Sequence, residues 1–427
     1  MPDLKAAYKT VMDDHFPSDL TIRLGDQTLV YRKRVWKIED GGETIEKGLR
    51  YGENPGQEAA LYELVSGNLH LGDCAFIEPG RGLVSCLSEE GLVQFGKHPG
   101  KTNLTDIDNA LNILRYMDAR PAAVIMKHNN PSGAAHGNDA ENAYDRAHAA
   151  DRLAAFGGAA VLNVPVTKDA AERMAGDYLE VVVAPEYGPG AVDALRKRKN
   201  LRIVRIKRID RIRDYAPARF VDFKSLMDGG LILQQSPLNR VRTAADFLPA
   251  EAKRKDGSVV RVRRPPTPGE TADLLFGWQV EQGVTSNSVL FVKDEATVAV
   301  GAGEQDRVGV AEIAIFKAHK KKADDISFRR HGMLRFELEI AVREGKRKAS
   351  ELADVDAEAE ASKGGLAGSS AVSDAFFPKR DGVDAITRAG ATAIVQPGGS
   401  LADAEIVDAV NEAGAAMVFT GQRAFKH

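Results

Sequence analysis

Lysine and histidine stand side by side at positions 127 and 128, directly after the apolar run Ala122–Met126 and before Asn129-Asn130-Pro131-Ser132-Gly133. Histidine is the usual general base near neutral pH, and an adjacent ammonium can stabilise an oxyanion as a carbonyl is attacked. The five apolar residues after Pro121 are too few for a buried helix and read as a buried strand. That places the pair at the carboxyl edge of a sheet, where open α/β sheets bind ligands. The following Asn-Asn-Pro-Ser-Gly is turn chemistry that would hold the pair still. Position alone suits two solvated residues that finish a strand equally well.

Other stretches carry candidate chemistry. "GAGEQDRVGVAE" (301–312) approaches the dinucleotide fingerprint G-x-G-x-x-G, with Asp306 where the third glycine belongs. It follows a strand and opens a helix, so an anion at that helix start fits, and Arg307 offers a guanidinium to a phosphate. "LRYGENPGQEAALY" (49–62) sets Arg50 and Tyr51 before an Asn-Pro-Gly turn. "AAFGGAAVLN" (154–163) puts Phe156 beside two glycines, where backbone can approach a flat ligand. "SDAFFPKRDGVD" (373–384) reads as a rigid loop with two aromatics, Pro378 and Asp381.

The elements that would position these groups alternate. Residues 105–118 read as a helix with Thr105 as N-cap and Ile107, Ala110, Leu111, Leu114 and Met117 on one face. "EVVVAP" (180–185) reads as a buried strand, and "NSVLFVKDEATVAVGAG" (287–303) as two strands about Lys293-Asp294-Glu295. "ATAIVQPGGS" is a strand running into a Gly-rich turn, Ser400 can cap the helix after it, and "AAMVFTG" is a last strand. The fold class is α/β with largely covered sheets.

The chain has 427 residues, with 58 Lys and Arg against 61 Asp and Glu, a net charge of -3. That balance gives no support to nucleic-acid or membrane-surface binding. No apolar run reaches membrane-spanning length, and "MPDLKAAYKTVMDDHF" lacks the pattern of a secretory signal, so a cytoplasmic protein is expected. The only cysteines, Cys74 and Cys86, are expected to be free thiols, and no Cys-x-x-Cys is available for zinc. Residues 196–266 are strongly basic; "LRIVRIK" reads as an exposed strand with one charged face, and a domain junction is placed near Pro265-Pro266. "ASELADVDAEAEASKGGLAGSS" reads as an acidic helix followed by a flexible Gly/Ser loop.

Taken in order, "LRYGENPGQ", "KHNNPSGAA", "AFGGAAVLN", "EVVVAP", "DGGLILQQ", "TSNSVLFVKD", "GAGEQDR", "SDAFFPKRDGVD" and "GQRAFKH" resemble one family from about Leu49 to His427. It is the 5-aminoimidazole-4-carboxamide ribonucleotide (AICAR) formyltransferase, usually the C-terminal half of the bifunctional purine biosynthesis enzyme. The resemblance implies two α/β subdomains, each similar to cytidine deaminase but without zinc. Domains then follow as an N-terminal segment 1–48, a first subdomain 49–264 with basic linker 196–264, and a second subdomain 265–427. It also implies a homodimer with active sites between subunits, no bound metal, and 10-formyltetrahydrofolate as co-substrate. The N-terminal segment is too short for the cyclohydrolase domain, so a stand-alone formyltransferase is expected, with a separate inosinate (IMP) cyclohydrolase downstream. Neither membrane nor nucleic acid is an expected partner.

By the same resemblance His128 is the base that takes the proton of the attacking amine, with or through the substrate carboxamide. Lys127 stabilises the tetrahedral oxyanion or protonates the leaving folate nitrogen, and Asn287 orients the formyl group. Arg50, Tyr51, Gly157, Glu180, Arg307, Phe376 and Arg423 match nucleotide-binding positions. Phe156, Val308, Pro378, Asp381 and Ser400 match the folate side. Thr285, Asp306 and Lys379 depart from the family pattern, where lysine, serine and phenylalanine are usual. Two other readings differ in class: a non-catalytic nucleotide- or RNA-binding protein on the same fold, disfavoured by the presence of Lys127, His128 and Asn287, and a nicotinamide dehydrogenase, disfavoured by the broken fingerprint.

Overall fold

Short apolar runs separated by Gly, Asn, Asp and Pro give two successive stretches of chain the same order of elements. The computed structural model describes residues 10–40, 42–75 and 78–427, so residues 1–9 of the N-terminal segment lie outside the described residues. The first stretch runs α1 (Lys101–Leu114), β1 (Ala122–Lys127), β2 (Asn130–His136), α2 (Ala140–Ala150), β3 (Ala159–Leu162), α3 (Lys168–Gly176), β4 (Val181–Ala184), α4 (Ala191–Arg196) and β5 (Arg202–Arg205). The second runs α5 (Pro268–Glu281), β6 (Val289–Lys293), β7 (Ala296–Gly301), α6 (Arg307–His331), β8 (Ser369–Ser373), α7 (Arg380–Ala389), β9 (Ala391–Gln396), α8 (Asp403–Glu412) and β10 (Ala416–Phe419). Each is helix, hairpin, then strands alternating with helices. Two further helices, Arg335–Arg343 and Ala349–Ala361, are inserted between α6 and β8.

The two hairpins turn in the same way. His128 and Asn129 have φ of 52° and 61°, and Asp294 and Glu295 have 54° and 56°. Paired left-handed residues suit a two-residue hairpin because their twist matches that of the strands. Lys127 lies opposite Asn130, and Lys293 opposite Ala296. The turn is therefore tighter and earlier than the sequence suggested. Asn130 to His136 form the returning strand, with the irregularity between Pro131 and Gly133 absorbing the proline. Gly133 is needed for packing: a Cβ there would lie 2.0 Å from the Ala147 carbonyl oxygen on α2.

The chain divides into two compact units interleaved in sequence. The first holds the described residues up to Leu111 together with Gly157–Leu238. Its main sheet has the order β3-β4-β5 followed by Leu92–Gln94, parallel except for the last antiparallel pair. The N-terminal residues of this unit form the sheet Asp19–Leu24, Gln27–Lys33 and Tyr62–Ser66 and the hairpin Trp36–Asp40/Glu43–Lys47. Buried Trp36 ties that hairpin down by donating from Nε1 to the Leu87 carbonyl at 3.0 Å.

The second unit, Asn112–Phe156 with Asn239–His427, has the sheet order Leu248–Pro249, β10, β9, β8, β6, β7, β2, β1. β8, β9 and β10 are mutually parallel, and the pairs β8–β6, β6–β7, β7–β2 and β2–β1 are antiparallel. Its core gathers Phe291, Val310, Ala314, Phe377, Ile386, Ile394, Ile406 and Val410 between the sheet and α6, α7 and α8. The Pro265-Pro266 step lies inside this unit, just ahead of α5, whose start is closed by a Thr267–Glu270 capping box.

Several local expectations are corrected. The stretch 373–384 is loop only in its middle, since Ser373 ends β8 and Arg380–Asp384 begin α7. The helix begins at Lys101 rather than after Thr105, since Asn103 Oδ1 accepts from the Gly100 amide at 3.2 Å and Thr105 merely donates to the Thr102 carbonyl at 3.1 Å. It ends at Leu114, short of the expected 118; the expected apolar residues are all buried, with Met117 in the turn beyond the helix. Ser400 does not cap α8; the Asp403 carboxylate takes the Gly399 and Ser400 amides at 2.7 and 3.1 Å. "LRIVRIK" is no exposed strand: Leu201, Ile203 and Val204 are buried, and Arg202 is 1% exposed, within an interior strand. Of its basic neighbours, Arg205 pairs with Glu186 at 2.8 Å and others answer carbonyls. Arg198 donates to Ala175 and Gly176 at 2.7 and 3.1 Å, at the end of α3 where helix carbonyls lack partners. The Gly/Ser stretch after Ala349–Ala361 is not an open loop throughout either. Gly364 and Gly365 turn with positive φ, Leu366 is buried, and Ser369 and Ser370 are buried in β8.

Candidate active site

Lys127 ends β1 half-buried, and its ammonium donates to the Phe156 carbonyl and lies 5.9 Å from the Phe156 ring centroid. Phe156 itself is 57% exposed, so it offers an aromatic face beside the lysine rather than a core contact. His128 and Asn129 are exposed at the tip of the hairpin. Asn130 anchors the returning strand by accepting the Thr285 amide at 2.9 Å, which joins the turn to the loop that carries Asn287.

Asn287 is held from both ends of its amide. Its Nδ2 donates to the Gln305 carbonyl at 2.9 Å, and its Oδ1 accepts from Arg307 Nη2 at 2.8 Å. Arg307 is buried, and its Nη1 donates to the Ser288 carbonyl at 2.9 Å, to Ser373 Oγ at 3.1 Å and to Asp374. Asp374 also accepts from Ser286 Oγ at 2.5 Å. Behind them Glu281 is fully buried and accepts from Ser288 Oγ. Burial pushes its carboxyl well above the ordinary range, and the charge of Asp374 adds to the push. One buried guanidinium thus pairs with Asp374, with the raised carboxyl of Glu281 behind it. Asp306 replaces the fingerprint glycine for a local reason: as N-cap of α6 it accepts the Gly309 amide at 2.6 Å.

In the first unit Arg50 is buried with its guanidinium 4.5 Å over the Tyr51 ring, and its amide donates to the Pro99 carbonyl at 2.9 Å. Gly157 takes φ 74° and donates to the Tyr178 carbonyl at 2.7 Å. Glu180 is half-buried and accepts from Asn103 Nδ2 at 3.1 Å and from Arg202 Nη1 at 3.4 Å. Burial lowers the Arg202 guanidinium to about 10, Glu180 opposes that shift, and the neighbouring Arg50 charge adds to it. Arg50, Glu180 and Arg202 therefore form one electrostatic group with more positive than negative charge.

The remaining candidates are spread over helix starts and loops of the second unit. The phenylalanine pair divides: Phe377 is core and its amide donates to Gln396 Oε1 at 2.7 Å, whereas Phe376 is 41% exposed. Asp381 is exposed in the first turn of α7, Pro378 is exposed ahead of it, and Val308 and Ser400 are half-buried. Arg423 stacks its guanidinium 4.6 Å over Phe425, and the next residue, Ala424, donates its amide to the Asp374 carbonyl at 2.9 Å. Among the described residues no hydrogen bond joins Pro378, Asp381 or Ser400 to Lys127, His128 or Asn287. Arg202, Asp374, Glu281 and Lys426 were not singled out from sequence. A charged residue inside an apolar run, as in Ile203-Val204 beside Arg202 or Val280 beside Glu281, was the available signal. A cavity of about 420 Å³ in the first unit and a groove of about 680 Å³ in the second are lined by none of the candidate residues.

Among the described residues no cluster of His, Cys, Asp and Glu is arranged to hold a metal ion, and no helix is long and apolar enough to cross a membrane. A family model described as AICARFT/IMPCHase bienzyme matches residues 6–317. The bifunctional purine biosynthesis protein PurH of Magnetococcus marinus is 36% identical over 383 residues, covering 89% of this chain and 59% of that protein. PurH of Xanthomonas campestris is 36% identical over 382 residues, with 89% and 58% covered, and PurH of Persephonella marina 36% over 385 residues, with 89% and 59%. The chain thus spans about 59% of the length of such relatives. With that match over more than half of its length, the chain belongs to the AICARFT/IMPCHase bienzyme family.

Proposed function

We propose that this chain transfers a formyl group from 10-formyltetrahydrofolate to the 5-amino group of AICAR, giving the formylated nucleotide and tetrahydrofolate in purine biosynthesis. The observation that carries the reading is the Lys127-His128 pair, presented on a tight turn tied through Asn130 and Thr285 to the loop of Asn287. The accepting amine is conjugated with the imidazole and carboxamide, so it is a weak nucleophile. As its nitrogen attacks the formyl carbon, His128 takes the amine proton, with or through the carboxamide. Lys127 meets the oxyanion or gives a proton to the folate nitrogen as the carbon–nitrogen bond breaks. Asn287, oriented by Arg307, directs the formyl oxygen.

The excess positive charge around Arg50 and Arg202 suits an anionic nucleotide, and we place Arg50, Tyr51, Gly157 and Glu180 on its side. Arg307, Phe376 and Arg423 are assigned there too, the first acting chiefly through Asn287. Phe156, Val308, Pro378, Asp381 and Ser400 are assigned to the folate. The duplicated element order supports a fold of two deaminase-like subdomains, and we read the working form as a homodimer whose product goes to an IMP cyclohydrolase. The test is direct: purified protein, AICAR and 10-formyltetrahydrofolate, followed by the absorbance of tetrahydrofolate. Release that depends on AICAR is expected, and none at any substrate level would overturn the reading.

A further inference from the structure

The hairpin tip that presents His128 carries two consecutive non-glycine residues in the left-handed region, and such backbone persists only where its surroundings hold it. Part of that hold comes from the far end of the chain. Lys426 Nζ donates to the Asn129 carbonyl at 3.2 Å and to the Gly283 carbonyl at 3.3 Å. The backbone of the same lysine is tied to the Asn287 loop: the Ser286 amide donates to the Lys426 carbonyl at 2.9 Å, and the Lys426 amide donates to Ser286 Oγ at 3.1 Å. Ser286 Oγ in turn donates to Asp374, the partner of Arg307. A single residue thus grips the turn that presents His128 and the loop that presents Asn287.

We infer that Lys426 is a positioning residue, whose ammonium sets the His128 turn against the Asn287 loop without touching the reacting atoms. An ammonium suits this role because its donors can serve two carbonyls at once, and charge-assisted bonds are stronger than neutral ones. The inference rests on the proposed roles of His128 and Asn287. Loss of the ammonium should therefore slow the reaction step while leaving nucleotide binding largely intact.

The test compares Lys426→Met and Lys426→Arg with the parent. Lys426→Met should lower kcat by roughly ten- to a hundredfold with AICAR affinity kept within about threefold, and Lys426→Arg should recover part of the loss. Combining Lys426→Met with His128→Ala should cost no more than His128→Ala alone, because the lysine acts through the histidine turn. Losses that multiply, or an unchanged kcat in Lys426→Met, would overturn the inference. A readout independent of turnover separates it from the functional reading: the imidazole NMR signal of His128, identified by its disappearance in His128→Ala, should shift or broaden in Lys426→Met. An unmoved signal refutes the positioning role even if the chain catalyses a different reaction.

Discussion

Arg307 donates to the side-chain oxygen of Asn287 at 2.8 Å while its other terminal nitrogen grips Asp374, so one buried guanidinium both orients an amide and neutralises an acid. The amide of Asn287 therefore has one orientation, with nitrogen toward Gln305 and oxygen toward Arg307. Removing the arginine would leave Asp374 as a buried charge without its cation. Arg307→Met should cost about 3–5 kcal/mol of stability. Arg307→Lys should fall between it and the parent, since an ammonium lacks the planar fork. Urea denaturation checks this, and a Met variant within about 1 kcal/mol of the parent would show that the pair holds nothing together.

His128→Ala should lower kcat by about 10²–10⁴-fold, the usual worth of general base catalysis, with nucleotide affinity within about tenfold. Lys127→Arg should retain more activity than Lys127→Met but less than the parent, because the charge survives and the shape does not. Steady-state kinetics on the three variants would read both effects. A near-normal kcat in His128→Ala would reduce the pair to the end of a strand.

Asn129 sits at φ 61°, where asparagine is tolerated and a β-branched residue is not. Asn129→Gly should be close to neutral, and Asn129→Val should destabilise by about 1–2 kcal/mol. Thermal melts of the two variants provide the comparison, and equal melting temperatures would refute the backbone argument.

Glu270 closes the start of α5. Burial pushes its carboxyl up, but bonds from Arg264 at 2.8 Å, from Thr392 Oγ1 at 2.6 Å and from the Thr267 amide at 2.8 Å outweigh that push. The net effect lowers the carboxyl from 4.5 to about 2. The folded value lies below the unfolded one, so the stability it contributes is present above 4.5 and is lost as pH falls toward about 2. Glu270→Gln should therefore be destabilising at neutral pH, with the difference shrinking on acidification through that window. Denaturation series at several pH values would reveal a constant difference if the ionised carboxylate is not the cause.

Local elements that depend on apolar runs and punctuation were legible in the residues themselves. The runs Ala122–Met126, Val181–Ala184 and Val289–Val292 became buried strands, and the helix face from Ile107 to Leu114 is buried. Turns were less legible, because Asn-Asn-Pro-Ser-Gly offers several places to turn and the choice of His128-Asn129 follows from pairing Lys127 with Asn130. The charged candidates were the least legible. Arginine at 202, 307 and 423 looks alike in sequence, yet the first two are buried and committed to carboxylates and carbonyls, and the third is exposed over Phe425.

The residues by themselves determined several buried strands and the apolar helix face of Ile107–Leu114, and that lysine, histidine and asparagine of useful type are present, because backbone preference and apolar spacing act over a few neighbours. Only tertiary structure decided that Lys426 reaches Asn129 across 297 positions, and that Arg307 spans 20 to Asn287 and 67 to Asp374. Pairings at such separations follow from how strands order and pack in a sheet, where each buried charge must find a partner that no local rule names.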